Sequence, residues 1–268
     1  MPLACPGHAD MALIRIGMAQ FHSKELSGSL PRIRSLLEQD ADLVILPEKW
    51  MNGDGVNHVS DGHAYLEEVA SMAREFGTAI LTGGLMENSD GRNYITCYVY
   101  GPEGLLMTKC RKLHPFGLER KSVSPGSDIS TFEFKGMKLG VAICYDMDFP
   151  ETVRRFALED CDMMAVPAKI RREGIDPWLM YLQTRALENR MPVAFANSFS
   201  PPHFLGRSGA IDLQPSEDGM VMYPRVQLLD EKDGSGVLEI DPSQYREERK
   251  KRLSERNMEV DCLSGERQ

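Results

Sequence analysis

The sequence predicts an α/β fold with mixed sheets, and three observations support this prediction. Short apolar runs bounded by glycine, proline or polar residues alternate with segments of helical, amphipathic periodicity. Such an alternation is typical of helices layered on sheets. The chain has 268 residues, of which 42% are hydrophobic and 26% charged, and this suffices for one large domain with a substantial core. No internal repeat or low-complexity linker interrupts the pattern.

The first half of the chain is predicted to contain mainly strands, with two helices between them. Strands are expected where β-branched and other apolar residues run together, at Ile14–Gln20, Val44–Leu46, Ala79–Leu85, Tyr94–Tyr100 and Leu105–Lys109. Helices are expected at Leu30–Gln39 and Ala64–Phe76. The second helical pattern ends at Gly77, because glycine readily adopts the left-handed conformation that closes a helix. A turn at Gly101–Gly104 joins the last two strands.

The second half of the chain alternates more regularly between the two kinds of element. Strands are predicted at Phe132–Phe134, Lys138–Cys144, Met163–Val166, Val193–Asn197, Gly209–Leu213, Met220–Tyr223, Gln227–Leu229 and Gly236–Glu239. Helices are predicted at Glu151–Leu158, Trp178–Asn189 and Pro242–Leu253. The first two strands are expected to form a hairpin across Lys135-Gly136, and Pro150 stands at the first-turn position that proline favours.

Cys144 ends one of the predicted strands and is a candidate nucleophile. The apolar residues Leu139, Val141 and Ile143 precede it, and a helix is predicted to begin near Pro150. Open α/β sheets bind their ligands at such strand ends. A lone cysteine in an apolar run is more often an inert core residue with a protonated thiol. A catalytic role therefore requires a base and a cation nearby.

Two other predicted strands end in such groups. Glu48 directly follows the apolar run that Pro47 stops, and Lys112 lies in the basic cluster after the strand at Leu105–Lys109. A carboxylate, an amine and a thiol at three strand ends would converge on one edge of a sheet. Taken singly, Glu48 fits a helix N-cap or a solvated loop charge, and Lys112 fits a solvated face. The joint arrangement favours a catalytic site.

These segments resemble the nitrilase superfamily, the carbon–nitrogen hydrolases. The matching motifs are Leu46-Pro47-Glu48, Arg111-Lys112-Leu113-His114 and Gly140-Val-Ala-Ile-Cys-Tyr-Asp146 with Phe149-Pro150-Glu151, supported by Asp160–Ala168, Trp178–Asn189, Pro192–Asn197 and Gly206–Asp212. The resemblance covers roughly residues 12–255. It implies a four-layer α-β-β-α sandwich with mixed sheets. It also implies a homodimer or higher homo-oligomer, with the helices Glu151–Leu158 and Trp178–Asn189 as interface candidates.

The resemblance implies a role for each residue of the motifs. Glu48 would be the general base, Lys112 the cationic stabiliser and Cys144 the nucleophile, and neither a metal nor an organic cofactor is required. Glu119 falls where the family carries a second glutamate, although Leu118 stands where a glycine is usual. We expect the ammonium to lower the thiol pKa and the base to take the proton during attack.

The substrate is expected to be a small-molecule amide or carbamoyl compound. Tyr145 and Asp146 follow the cysteine, whereas true nitrilases usually have Trp-Glu there, so an amide is favoured over a nitrile. Residues expected to bind the substrate are Tyr145, Asp148, Pro167 and Ala168. Asp148 stands where many relatives carry an arginine that binds a substrate carboxylate, which favours a neutral or cationic substrate. The alternative is that Asp148 caps the helix near Pro150.

Three further side chains near these motifs have competing interpretations. Trp178 and Tyr181 lie at helical spacing and could line a pocket, but aromatic residues in this pattern more often belong to the core. His114 follows Lys112 closely and could join the site. The simpler expectation is a loop histidine that packs against Phe116.

Composition and motifs disfavour several other classes of protein. The net charge of −9 argues against a nucleic-acid partner. The cysteines and histidines lack the spacing of a zinc site, and no dinucleotide, Walker or Gly-x-Ser-x-Gly motif occurs. No signal peptide or membrane-spanning run is visible, and the cysteine pattern suggests a cytoplasmic protein. Residues 1–11 are expected to be a disordered extension and residues 256–268 a mobile tail.

The function favoured by the sequence is that of a thiol amidohydrolase. It would cleave the C–N bond of a small linear amide or carbamoyl compound through a thioester on Cys144, releasing ammonia or an amine. One alternative is a non-catalytic member that binds a metabolite or a protein through the same cleft. Another is transfer of the acyl group to an amine acceptor. The sequence leaves open which amide is used and whether water is the acceptor.

Overall fold

Two β-sheets pack face to face at the centre of the molecule and helices cover their outer sides. The computed structural model describes residues 13–22, 26–50 and 63–257. The expected extension at residues 1–11 and residues 258–268 of the expected tail lie outside the described residues. No helix in the described part of the chain is long and apolar enough to cross a membrane.

The helices and strands alternate along the chain as the sequence predicts. The strands are β1 (Ile14–Gln20), β2 (Leu43–Ile45), β3 (Ala79–Leu81), β4 (Leu85–Ser89), β5 (Arg92–Tyr100), β6 (Leu106–Arg111), β7 (Ser130–Phe134), β8 (Met137–Val141), β9 (Met163–Ala168), β10 (Val193–Asn197), β11 (Phe199–Ser200), β12 (Phe204–Leu205), β13 (Gly209–Pro215), β14 (Met222–Leu228) and β15 (Gly234–Ile240). The α-helices are α1 (Leu26–Leu37), α2 (Ala64–Phe76), α3 (Pro150–Leu158), α4 (Ile175–Asn189) and α5 (Arg246–Ser254).

Both large sheets are mixed. The first has the strand order β15-β1-β2-β3-β5-β4, and β6 pairs with β5. In it β2 runs parallel to β1 and β3, whereas β15 and β5 are antiparallel to their neighbours. The second has the order β14-β13-β10-β9-β8-β7, with β8, β9 and β10 mutually parallel. The parallel strands at the centre of each sheet therefore end at the same edge.

The alternation of side chains along each strand creates the layers. On β2, Leu43 and Ile45 enter the core between the sheets, while Val44 packs with the residues of α1 and α2. On the outer side of the second sheet, Phe156 of α3 lies so close to Gly140 that a Cβ there would come within 2.6 Å of its ring. The result is the four-layer α-β-β-α sandwich implied by the resemblance.

Several predicted strands have different bounds in the structure, and four of them differ in ways that matter. The predicted strand Ala79–Leu85 is interrupted at Gly83, whose positive φ and close approach to the Pro47 carbonyl admit no side chain. The strand predicted to reach Cys144 ends at Val141, and Cys144 begins a 3₁₀ turn. The separate strands predicted at Met220–Tyr223 and Gln227–Leu229 form the single strand β14, which tolerates Pro224 because it is an edge strand.

The predicted helices also shift at their ends. The helices predicted from Leu30 and Trp178 begin earlier, at Leu26 and Ile175. The last predicted helix, Pro242–Leu253, starts with a 3₁₀ turn over Pro242–Tyr245 before α5 begins. The small hairpin of β11 and β12 was not predicted, because its two-residue strands carry no periodic signal.

The packing of α3 makes a stability prediction. We expect Phe156→Ala to lower the free energy of unfolding by about 3–5 kcal/mol, because it opens a cavity against Gly140 in a fully buried position. The matched control is Leu105→Ala in the turn before β6, where the leucine is 68% exposed and its loss is expected to cost less than about 0.5 kcal/mol. Urea denaturation followed by far-UV circular dichroism measures both. Equal effects in the two variants would contradict this packing.

Candidate active site

Glu48 lies at the seam between the two sheets. Its backbone N–H donates to the carbonyl of Ala168 at 3.1 Å, and its own carbonyl accepts from the Ser198 hydroxyl at 3.0 Å. It therefore links the turn after β2 to the ends of β9 and β10. The residue is only 2% exposed, so the alternative of a solvated loop charge is wrong.

Lys112 is a buried ammonium held by two carboxylates. Its Nζ lies 2.7 Å from Glu48 Oε1 and 3.0 Å from Glu119 Oε2, and its backbone N–H donates to the Ile95 carbonyl at 2.8 Å. Burial by itself lowers the pKa of Lys112, but attraction to Glu48, Cys144 and Glu119 outweighs burial and raises that pKa. The ammonium is thus charged at neutral pH. Its burial contradicts the alternative of a solvated face.

Glu119 bridges two cations. Besides Lys112, its carboxylate is bonded by the ammonium of Lys49, and Oε2 also accepts from the backbone N–H of Phe116 at 2.7 Å. Burial raises the pKa of Glu119, but Lys112 and Lys49 together lower it below its usual range. Leu118, which replaces the usual glycine, turns to solvent with 77% of its surface exposed. The substitution therefore leaves the carboxylate in place.

Lys49 has a contact that the sequence analysis missed. It adopts a positive φ of 48°, and its backbone N–H donates to the Gly84 carbonyl at 2.8 Å. This conformation accompanies the contact of its side chain with Glu119, while the neighbouring Glu48 contacts Lys112. The sequence feature that could have indicated this contact is the position of Lys49 directly after Glu48.

Cys144 begins a 3₁₀ turn in a strained backbone conformation. Its φ is +53°, in the left-handed region that non-glycine residues uncommonly adopt. Asp146, buried in the same turn, accepts hydrogen bonds from the backbone N–H of Ile143 at 3.0 Å and of His114 at 2.8 Å. Asp146 thus joins the cysteine turn to the segment that follows Lys112.

His114 does not occupy the position expected for it. Its ring stacks on Phe149 with the centroids 3.8 Å apart, and its Nδ1 lies 3.0 Å from Asp146 Oδ1. The prediction that it packs against Phe116 is therefore wrong. Phe116 instead meets Tyr145 edge-on at 4.9 Å.

The pKa of the Cys144 thiol is raised, contrary to the sequence-based expectation. Burial raises it most and the Glu48 carboxylate raises it further, while Lys112 and the Lys169 backbone N–H lower it by less. The expected lowering by the ammonium is present but is outweighed. At neutral pH the site therefore holds a protonated thiol beside a carboxylate, which is a nucleophile with its base adjacent.

Cys144 opens into a pocket of about 450 Å³. Tyr145, Asp148, Trp178 and Tyr181 are among its lining residues. The core interpretation of the two aromatic residues on α4 is thus incomplete, although Trp178 is 4% exposed and also packs on Phe195. Pro167 and Ala168 lie in β9 and are not among the described residues that line the pocket.

Asp148 does not cap α3. The N-cap residue of that helix is Phe149, and no side-chain hydrogen bond caps it, so the capping alternative is wrong. The backbone at Asp148 is instead held by Arg185 of α4, whose Nε donates to the Met147 carbonyl and whose Nη2 donates to the Asp148 carbonyl, each at 3.2 Å. This role of Arg185 was not predicted from the sequence, because its contact crosses from α4 to the cysteine turn.

Comparisons with known proteins agree with this architecture. Residues 15–243 match the family model for carbon–nitrogen hydrolases. Omega-amidase NIT2 of Mus musculus is 30% identical over 205 residues, which cover 70% of this chain and 73% of that protein. A CN-hydrolase superfamily protein of Xanthomonas campestris, whose active site carries an arsenic adduct, superposes with a TM-score of 0.76 at 25% identity and covers 91% of this chain and 98% of its own.

A further structural neighbour shares the fold at lower identity. It is a mutant amidase from Nesterenkonia sp. AN1 in which the acetamide moiety of fluoroacetamide is covalently added to the active-site cysteine. The TM-score is 0.75 at 24% identity, with 93% of this chain and 95% of that chain covered.

The electrostatics of the thiol make a prediction that needs no substrate. We expect Glu48→Gln to lower the pKa of Cys144, because the variant removes the carboxylate that disfavours the thiolate. The rate of iodoacetamide alkylation of the Cys144 peptide, followed by mass spectrometry against pH, would then rise at lower pH than in the unmodified protein. Cys161 is the internal control, since burial raises its pKa to about 12 and Glu48 does not act on it. An unchanged Cys144 profile would contradict the assigned contact.

Proposed function

The chain belongs to the carbon–nitrogen hydrolase family, and from this premise we propose that it hydrolyses small linear amides or carbamoyl compounds with Cys144 as nucleophile. The observation that carries the proposal is the contact of a buried ammonium with two carboxylates beside a buried cysteine. The enzyme acts on non-peptide amide bonds. Its relationship to the omega-amidase supports a terminal amide as the group that is cleaved.

In the first step the Cys144 sulfur attacks the carbonyl carbon of the amide. Its proton passes to Glu48, whose carboxylate lies close enough to raise the pKa of the thiol. Negative charge develops on the carbonyl oxygen. Two of the three Nζ–H donors of Lys112 point to Glu48 and Glu119 among the described residues, and the third is left for this oxyanion. The backbone N–H of Tyr145, next in the 3₁₀ turn, is the second donor.

In the second step the C–N bond breaks. Glu48, now protonated, gives its proton to the leaving nitrogen, so that ammonia or an amine departs and a thioester remains on Cys144. Glu48 then removes a proton from water, which attacks the thioester and releases the acid. The same carboxylate serves both half-reactions because it lies against the sulfur. Glu119 keeps Lys112 in position with help from Lys49.

Two alternative functions would use the same pocket. A non-catalytic binding protein would have no need for a matched base, cation and nucleophile, so the intact Glu48, Lys112 and Cys144 favour the enzyme. Acyl transfer to an amine would share the thioester and differ only in the acceptor. An amine acceptor added during turnover distinguishes the two reactions, because transfer yields the amide of that amine and hydrolysis yields the acid.

We also infer a homodimer that forms through α3 and α4 and a cytoplasmic location. Leu158 and Met180 on these helices are large apolar residues that are 51% and 67% exposed, and a dimer through this face would bury them. Cysteines 97, 110, 144 and 161 are free thiols, as suits a reducing compartment.

The homodimer predicts that Met180→Glu shifts the protein toward monomer, because a charge would be buried at the interface. Sedimentation velocity of the variant and the unmodified protein measures the shift. Met107→Glu, at an exposed apolar residue of β6, is the control and leaves the distribution unchanged. A monomeric unmodified protein would overturn the inference.

The proposed reaction predicts ammonia release that depends on Cys144. We expect Cys144→Ala to abolish release from a panel of small linear amides and carbamoyl compounds, and Cys161→Ala to keep it within about twofold, since Cys161 does not line the pocket. Coupled glutamate dehydrogenase measures ammonia. Release by Cys144→Ala equal to that of the unmodified protein would refute the mechanism.

The thioester itself is detected with Glu48→Gln. An activated ester needs no protonated leaving group, so this variant is expected to acylate at Cys144 and then to deacylate slowly, because its base is missing. Intact-mass spectrometry would show the added acyl mass. A non-catalytic binding protein would show no adduct with any compound.

A further inference from the structure

Asp148 is a carboxylate in the wall of the catalytic pocket with an unsatisfied oxygen. It ends the 3₁₀ turn that Cys144 begins, and both residues line the same pocket. Its Oδ1 is buried and has no hydrogen-bond partner within the part of the chain that the structure describes. A buried carboxylate oxygen without a donor is costly, and such atoms are uncommon in folded proteins.

Two cations, Arg185 and Lys112, act electrostatically on the Asp148 carboxylate, and both are bonded to other groups. The Nε and Nη2 of Arg185 donate hydrogen bonds to the backbone carbonyls of Met147 and Asp148, and its Nη1 pairs with Glu188 at 2.9 Å. Lys112 is held by the carboxylates of Glu48 and Glu119. The protein thus fixes the backbone of Asp148 and leaves its carboxylate to the pocket.

The cationic side chains that line the pocket have contacts elsewhere. Arg171 lies 3.4 Å from the carboxylate of Glu173 and 3.3 Å from His203 Nδ1. Lys169 lies with its Nζ 5.1 Å from the centre of the Phe204 ring and 3.5 Å from the Lys49 carbonyl. The other lining carboxylate, Glu173, is therefore paired, whereas no described residue donates a hydrogen bond to Asp148 Oδ1.

Aromatic residues line the same pocket. Tyr145, Trp178 and Tyr181 line the pocket together with Asp148. Ring faces attract cations and repel anions, and a carboxylate with aromatic walls is a suitable environment for an alkylammonium group. The wall that bears Asp148 is thus suited to positive charge, and a substrate carboxylate placed there would be repelled.

We propose that the physiological substrate is a linear amide whose end remote from the scissile amide bears a protonated amine, and that Asp148 receives this ammonium. The inference rests on the proposed amidase function and names its substrate class. Asp148 is then a specificity-determining residue: its carboxylate, in the pocket wall, pairs with the ammonium while the carbonyl carbon lies at Cys144. The protonated amine takes no part in the bond changes, so the acyl transfer to sulfur and then to water is unaltered.

The test compares three amides of similar length that differ in charge at the remote end. γ-Aminobutyramide is cationic, pentanamide is its neutral counterpart, and succinamic acid is anionic. We expect kcat/KM for ammonia release to be at least about tenfold higher for the cationic amide than for the neutral one, and lower still for the anionic one. Asp148→Asn is expected to reduce the cationic-to-neutral ratio by about tenfold, mainly through KM. Asp176→Asn is the control; Asp176 is exposed, pairs with Arg207 and does not line the pocket.

The outcomes separate the two proposals. Cys144-dependent hydrolysis with no cationic preference, or a preference that Asp148→Asn leaves intact, overturns the substrate class and leaves the amidase standing. Absence of hydrolysis for every amide overturns the proposed function. In that case calorimetry with Cys144→Ala still tests Asp148. Tighter binding of γ-aminobutyramide than of pentanamide, lost in the double variant with Asp148→Asn, supports the ammonium site, and equal binding refutes it.

Discussion

The burial of one ammonium between two carboxylates organises the structure around the site. Lys112 is 1% exposed, and a charge taken from water is tolerated only when its partners are fixed in place. Glu48 is fixed by backbone hydrogen bonds to the ends of β9 and β10, and Glu119 by Lys49 and the Phe116 amide. Glu119 lies in a 3₁₀ segment, Gly117–Lys121. This segment, the two sheets and the turn after β2 must therefore all be in place before the charges can be accommodated.

The same charges set the protonation of the nucleophile. Burial and Glu48 together outweigh Lys112, so the thiol keeps its proton until a carbonyl group arrives to accept the sulfur. A thiolate is readily oxidised and binds metals. A buried thiol with its base adjacent, by contrast, is reactive only toward a bound electrophile. The ammonium then contributes most where negative charge develops on the substrate oxygen.

The sequence predicted the residues at strand ends and missed those whose contacts cross between segments. Glu48 and Cys144 were predictable because apolar runs end beside them, and Lys112 because a basic cluster follows its strand; the family motifs supplied their roles. The contact of Lys49 with Glu119 and that of Arg185 with the Met147 carbonyl depend on how separate elements pack, which periodicity does not encode. The direction of the Cys144 pKa was mispredicted because the extent of burial is a property of the folded core. The break at Gly83 depends likewise on a neighbouring turn.

The hydrogen bonds of the Glu48 backbone to residues of the second sheet have a wider consequence. The general base follows a strand of one sheet and the nucleophile follows a strand of the other. The distance between them therefore depends on how the two sheets pack against each other. The apolar layer between the sheets is thus part of the catalytic apparatus, although its side chains carry no reactive group. A change of side-chain volume deep in that layer would change the distance between the Glu48 carboxylate and the Cys144 sulfur. Turnover would then be altered long before the chain unfolded. Selection for catalysis therefore extends to residues that never meet a substrate.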